Sequence, residues 1–324
     1  MTISAKPGTS YRYFAKKGIL LTLLCLALTL PYGCGSSKAE NVSSVDLSTA
    51  NTTYTNEIKV LETSAPGTNT CGNDAITIDY SNSSEGYITV LYTGDSSKVK
   101  FQLTGPDQVT YTYNLEANTA AVLPLPAGNG SYQLTTYEVI SENQYATSYS
   151  TDLDITIDNV LGPFLYPNQY VNFTRDTKAV SKAKEVTATA TCDLEAVSLV
   201  YDYVIKNVVY DKEEAETVAS NYLPDVDEVM ETGKGICFDY AALMAAMLRS
   251  QGIPTRLEIG YAKDAYHAWI SVYTADQGWI GGVISFDGTT WTLMDPTLAS
   301  NSKDVSKIKS FIGDGSSYTT KYVY

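Results

Sequence analysis

Three residues carry the arrangement with the most chemical content: Cys237, Asp295 and His267, the only histidine in 324 residues. Cys237 follows Gly233-Lys234-Gly235-Ile236, where two glycines allow a tight turn through positive φ. Behind it Tyr240, Leu243, Met244, Met247 and Leu248 recur at helical spacing. Ala241, Ala242, Ala245 and Ala246 lie between them, and Gly252 and Pro254 stop the run. The thiol is therefore expected in the first turn of a buried helix. Unpaired amides and the helix dipole favour an anion there. A thiolate is the form of cysteine that attacks a carbonyl carbon, and the same amides can donate to an oxyanion. A lone helical cysteine is otherwise a small apolar core residue, so the partners decide. His267 opens the strand-like Ala268–Tyr273, and Asp295 ends another strand and is stopped by Pro296. Together they supply a nucleophile, a base, and an acid that orients the base and stabilises its cation.

These three residues need elements to hold them. A helical pattern covers Thr177–Thr189. A stronger one follows, with Leu194, Val197, Tyr201, Val204, Ile205 and Val208 on one face, ending at Tyr210-Asp211. Residues 211–232 are polar and acidic. Their carboxylates do not have the spacing of an ordered calcium loop and read as a solvated surface connection. Arg256–Tyr261 is a strand ahead of the histidine. Residues 275–290 make a long excursion before the aspartate, with Trp279, Gly281, Gly282 and Asp287-Gly288, consistent with a hairpin lining a cleft. A metal on Cys237, His267 and Asp295 is disfavoured, since one imidazole and one thiolate make a poor zinc set. No metal or cofactor is expected.

Gly235-Ile236-Cys237-Phe238-Asp239-Tyr240-Ala241, Leu248–Pro254, His267-Ala268-Trp269 and Asp295-Pro296-Thr297 together resemble the core of the transglutaminase-like superfamily, in the right order over about residues 193–298. Tyr210 matches the tyrosine that closes the preceding helix in that family. The resemblance implies a papain-like α+β fold over 191–324. It also implies Cys237 as nucleophile, His267 as base and Asp295 as orienter of a thioester-forming acyl transfer or hydrolysis on protein or peptide amides. Tyr210 is a candidate oxyanion-hole group, with a packed core tyrosine as the plain alternative. Trp269, with Trp279 and Trp291, either shapes an acyl site or fills the sheet. The rival function is a surface adhesin whose transglutaminase-like core is inactive.

Ahead of this core, residues 73–158 alternate with period two in about seven runs, punctuated by Asn82-Ser83-Ser84, Gly105-Pro106-Asp107 and Gly128-Asn129-Gly130. That reads as a small antiparallel β-sandwich of the immunoglobulin or fibronectin kind. Pro124 and Pro126 put their strand at an edge or near a bend, and the many tyrosines are expected to fill the core rather than form a binding face. Residues 159–190, with Pro163 and Pro167, form the connection between the two parts. Residues 34–72, rich in Ser, Thr and Asn, read as a flexible tether.

The first 33 residues read as an export signal. Arg12, Lys16 and Lys17 precede an apolar run from Ile19 to Leu30 that is short for a membrane span. Leu30-Pro31-Tyr32-Gly33-Cys34 resembles a bacterial lipoprotein signal, although Pro31 and Tyr32 depart from its usual residues. The resemblance implies lipidation of Cys34 and an extracytoplasmic, membrane-anchored protein, a layout similar to surface proteins of Gram-positive bacteria. Its substrate would be a protein or peptide, cell-wall peptide included. A net charge of −14 excludes a nucleic-acid partner, which needs a basic face. Beyond Cys25 and Cys34 there remain Cys71, Cys192 and Cys237, so at least one thiol stays unpaired. Either a Cys71–Cys192 bridge or three free thiols satisfies the count.

Overall fold

The computed structural model describes residues 54–142, 144–281, 284–286, 291–293, 295–301, 312 and 316–324. The first 33 residues, expected as an export signal, and Cys34 lie outside the described residues. The described chain is a mixed α/β fold, with strands first and helices gathered in its second half.

The alternating runs, joined by Thr70–Gly72 from the end of the expected tether, form eight strands: β1 Thr70–Gly72, β2 Ile76–Asp79, β3 Tyr87–Tyr92, β4 Val99–Thr104, β5 Thr110–Leu115, β6 Ala120–Pro124, β7 Gly130–Ser141 and β8 Gln144–Ile155. They make two four-stranded antiparallel sheets, in the orders β1-β2-β3-β6 and β5-β4-β7-β8. Register follows the apolar set. Val99, Phe101 and Leu103 face Leu115, Tyr113 and Tyr111 across β4 and β5, and all six are buried. Tyr92, Tyr111, Tyr113 and Tyr132 are core residues, as their alternation predicts. β6, which carries Pro124, is an edge strand, where a missing N–H costs no ladder bond.

The second half contains α1 Lys178–Val186, α2 Asp193–Asn207, β9 Val209–Tyr210, α3 Lys212–Thr217, α4 Val226–Thr232, β10 Lys234–Gly235 and α5 Cys237–Arg249. After these come β11 Thr255–Ala262, β12 Ala265–Thr274, β13 Gly278–Gly281, β14 Ile284–Phe286, β15 Trp291–Leu293, α6 Pro296–Asn301 and β16 Tyr318–Val323. One antiparallel sheet, β13-β12-β11-β16, packs against α5. From Tyr240 to Leu248 every α5 side chain is buried, because the alanines let neighbouring elements approach on all sides. Its last residue, Arg249, is wholly buried and donates to the carbonyls of Thr255 (2.9 Å), Tyr166 (2.9 Å) and Tyr324 (2.8 Å). One guanidinium thus ties the helix end to three other segments, and its planar fork suits that geometry.

The acidic connection 211–232 is largely exposed, as expected, and it contains two short helices, since Asp211 and Asp225 are N-caps whose carboxylates accept from the amides two and three residues on. The tether needs correction. Residues 54–69 do not behave as a mobile tether. Tyr54 and Val60 are buried, the Tyr54 amide bonds the Thr191 carbonyl, and the Lys59 amide bonds the Ser250 carbonyl. Farther on, the Ser64 amide donates to the Tyr87 hydroxyl. The strap thereby crosses both halves of the fold. A few buried anchors outweighed a polar composition.

The Tyr54 hydroxyl sits 2.7 Å from the Thr187 hydroxyl and 3.1 Å from the Gln251 side-chain oxygen. Tyr54→Phe removes these bonds and keeps the ring. It is expected to lower unfolding free energy by about 1–2 kcal/mol, read from urea denaturation with an unchanged slope. No change would mean that the strap contributes nothing to the fold.

Candidate active site

The approach to Cys237 is fixed by backbone pairing. Gly233 closes α4 in the left-handed region (φ 64°), which a side chain would resist. β10 then pairs in parallel with β9, Lys234 against Val209 and Gly235 against Tyr210. The carbonyls of Gly233 and Gly235 accept from the amides of Val209 (2.8 Å) and Asp211 (2.9 Å). Ile236 is the N-cap of α5, so Cys237 is the first helical residue, where its spacing predicts it.

Asp239 fastens this turn. Its carboxylate accepts from the Ile236 amide (2.8 Å) and from the Tyr222 hydroxyl (2.7 Å), while its own side chain is fully buried. Burial pushes its carboxyl up to about 6, against the lowering effect of Tyr222 and the Ile236 amide. Ile236 has no side-chain acceptor to return the bond; its carbonyl oxygen accepts from the Asp239 amide (3.0 Å), and no N-cap side chain occupies the first-turn amides beside the thiol.

His267 lies on β12 opposite Gly260 of β11, and the ring is nearly buried. Its Nε2 is 2.6 Å from Asp295 Oδ2, and the Cys237 sulfur bonds the same ring. Asp295 precedes α6 and caps it: its Oδ1 accepts from the Leu298 amide at 3.2 Å. α6 is in turn held to α5, because the Tyr240 hydroxyl donates to the Val208 carbonyl (2.7 Å) and meets the Ser300 hydroxyl at 2.9 Å. The fold thus brings Cys237, His267 and Asp295 into one chain of contacts from three separate elements. Burial by itself would depress the imidazole. The bonds and charges of Asp295 and Cys237 outweigh it and push His267 up to about 10. With Nε2 facing Asp295, Nδ1 is the nitrogen left to serve the thiol, and the ring carries a positive charge beside sulfur.

The two supporting candidates fall as follows. Trp269 stacks beside His267, with centroids 6.2 Å apart and an interplanar angle of 25°. Tyr210 is half-buried near the thiol, and burial together with Cys237 pushes its hydroxyl up. Trp279 sits elsewhere: it covers the Arg256 guanidinium (3.7 Å) and Phe164, which makes it a packing residue. The Trp291 side chain and parts of the 275–290 excursion lie outside the described residues. Cys71, Cys192 and Cys237 are all free thiols, and burial pushes the first two up. No group of three potential metal ligands exists among the described residues.

Sequence patterns left Tyr318 out of the site. Its hydroxyl donates to Asp295 Oδ2 at 3.0 Å, and its ring meets Trp269 edge-on. The available signal was the alternation Tyr318, Thr320, Tyr322, which marks β16 as a strand. Glu258 cross-links the same sheet face, accepting from Ser271 of β12 and Thr320 of β16, so its carboxylate is engaged away from the thiol.

Residues 180–281 match the family model described as the transglutaminase-like superfamily. The chain is similar to the uncharacterized protein YebA of Bacillus subtilis (strain 168), 30% identical over 105 residues. That segment is 26% of this chain and 14% of YebA, so only a small part of that relative is spanned. Among solved structures, a candidate cysteine protease from Cytophaga hutchinsonii is 17% identical with a TM-score of 0.34, covering 71% of this chain and 68% of that one. The periplasmic domain of TgpA from Pseudomonas aeruginosa is 15% identical with a TM-score of 0.33, covering 76% of each chain.

The raised His267 gives a direct expectation. A single histidine makes its NMR titration unambiguous. The imidazole is expected to stay protonated through neutral pH, with a midpoint well above the ordinary value of about 6.5. Since the folded state holds that proton more tightly, the pair's stabilisation is complete below about pH 6.5 and is lost as pH rises towards 10. A midpoint near the ordinary value would show that Asp295 and Cys237 do not govern the ring. Over residues 180–281 this chain is thus similar to the transglutaminase-like superfamily.

Proposed function

We propose that the protein is an extracytoplasmic cysteine enzyme that transfers or hydrolyses acyl groups of protein or peptide amides. The observation that carries this reading is the convergence of Cys237, at a helix N-terminus, with His267 and Asp295, whose side chains meet at 2.6 Å. Each part has the position its chemistry needs.

In this mechanism the Cys237 sulfur, its proton held by His267, attacks the amide carbonyl and forms an S–C bond. The first-turn amides of α5, with Tyr210 as a side-chain candidate, receive the developing oxyanion. His267 gives its proton to the departing nitrogen as the C–N bond breaks, leaving a thioester on Cys237. Water or an amine then attacks the thioester. His267 accepts the proton of that nucleophile, sulfur leaves, and the product is an acid or a new amide. Asp295 holds the ring through both halves of the cycle without taking the proton. Trp269 walls the ring from solvent, which favours retention of the charge pair.

The remaining expectations complete the proposal. Lipidation at Cys34 would place the enzyme on the outer face of the cell membrane. The two N-terminal sheets would act as a small immunoglobulin- or fibronectin-like sandwich beside the core. Protein or wall peptide would be the substrate.

A glutamine-containing peptide and a fluorescent amine separate the two outcomes. Amine incorporation marks transfer, and release of ammonia or peptide cleavage without incorporation marks hydrolysis. Cys237→Ala is expected to lower either rate by about a thousandfold or more. Equal turnover in that variant would overturn the proposed nucleophile.

A further inference from the structure

We propose that Tyr318 tunes the pair, its hydroxyl sharing the Asp295 oxygen that holds His267 and so limiting how tightly the imidazole keeps its proton. This rests on the acyl-transfer reading, in which His267 must release that proton to a leaving group.

The geometry is specific. Asp295 Oδ1 accepts from the Leu298 amide, which leaves Oδ2 to His267 at 2.6 Å and Tyr318 at 3.0 Å. Two donors on one oxygen divide its charge, so each is held less strongly than it would be alone. Ring contacts orient the hydroxyl. Its ring is edge-on to Trp269, with centroids 5.1 Å apart, and 6.3 Å from His267. Burial and the Asp295 charge push the phenol well above its ordinary value, so it remains a donor at every physiological pH.

Backbone register puts it there. Gly260 pairs with His267 on one side and with Thr320 on the other, and Tyr318, opposite Ala262, lies one same-face step along β16 from that row. The β11–β16 ladder shifts between Ile259 and Gly260. A Cβ on Gly260 would lie 2.0 Å from the Thr319 carbonyl oxygen, so only glycine lets β16 come this close. The groups facing the pair are Cys237 from α5, Tyr318 from β16 and Tyr201 from α2, whose phenol is raised in part by the Asp295 charge.

The chemical reason for such a donor is the height of the imidazole. A general acid works best when its pKa lies near the working pH. His267, already at about 10, holds its proton firmly, and an undivided carboxylate would hold it more firmly still.

Tyr318→Phe tests this in the full chain, because it deletes the hydroxyl and keeps the ring. The NMR midpoint of His267 is expected to rise by about half a pH unit. Peptide acylation at neutral pH is expected to slow about three- to tenfold in kcat with KM little changed, and the alkaline limb of its pH profile is expected to move upward. In an Asp295→Asn background the same substitution should no longer move the midpoint. A midpoint that stays or falls in folded Tyr318→Phe would overturn the proposal, whether or not the protein turns over a peptide. Should the Phe variant fail to fold, Tyr318→Met gives the same readout. The titration is independent of activity, and Cys237→Ala tests the acyl-transfer reading separately.

Discussion

An imidazole and a carboxylate 2.6 Å apart, both nearly removed from water, form a contact whose strength is set by everything around it. Either group alone at that depth would be costly to charge. Together they offset the cost, and the imidazole is driven up rather than down. The rest of the second half can be understood as holding this pair in register. β11 fixes the position of β12, α6 fixes Asp295, and α5 delivers a sulfur to the other side of the ring. Arg249 anchors the far end of α5 to three segments, so the helix that carries the thiol cannot slide.

The same constraint explains why small residues matter near the site. Gly233 turns the chain where a side chain would be strained. Gly260 lets a third strand approach closely enough for Tyr318 to reach Asp295. Alanines in α5 allow a helix with no solvent face to be packed on every side. Asp239 then holds the start of that helix with one buried carboxylate shared between an amide and a phenol.

Some of this was readable from residue order alone. Cys237 at a helix start and Asp295 before Pro296 are local signals, and helix and strand periodicity located α5 and β12. The strand-edge position of Pro124 and the burial of alternating tyrosines followed from equally local rules. What local rules could not supply was long-range pairing. Tyr318 joins the site only through the β11–β16 register. The strap at 54–69 is polar in composition, and its few anchors find partners more than a hundred residues away. The acidic stretch 211–232 is solvated, but its two short helices stayed hidden because a capping carboxylate and a free one are the same letter until the helix behind it is seen.

The central claim is that the pair activates one thiol among three. Cys71 and Cys192 serve as internal controls, since burial pushes both up and neither has an imidazole partner. The most direct measurement is limited iodoacetamide labelling of the folded protein at neutral pH, followed by peptide mapping. Cys237 is expected to be alkylated first and to near completion, and more slowly in Asp295→Asn. Preferential labelling of Cys71 or Cys192, or a Cys237 that stays unreactive until the protein unfolds, would contradict the account.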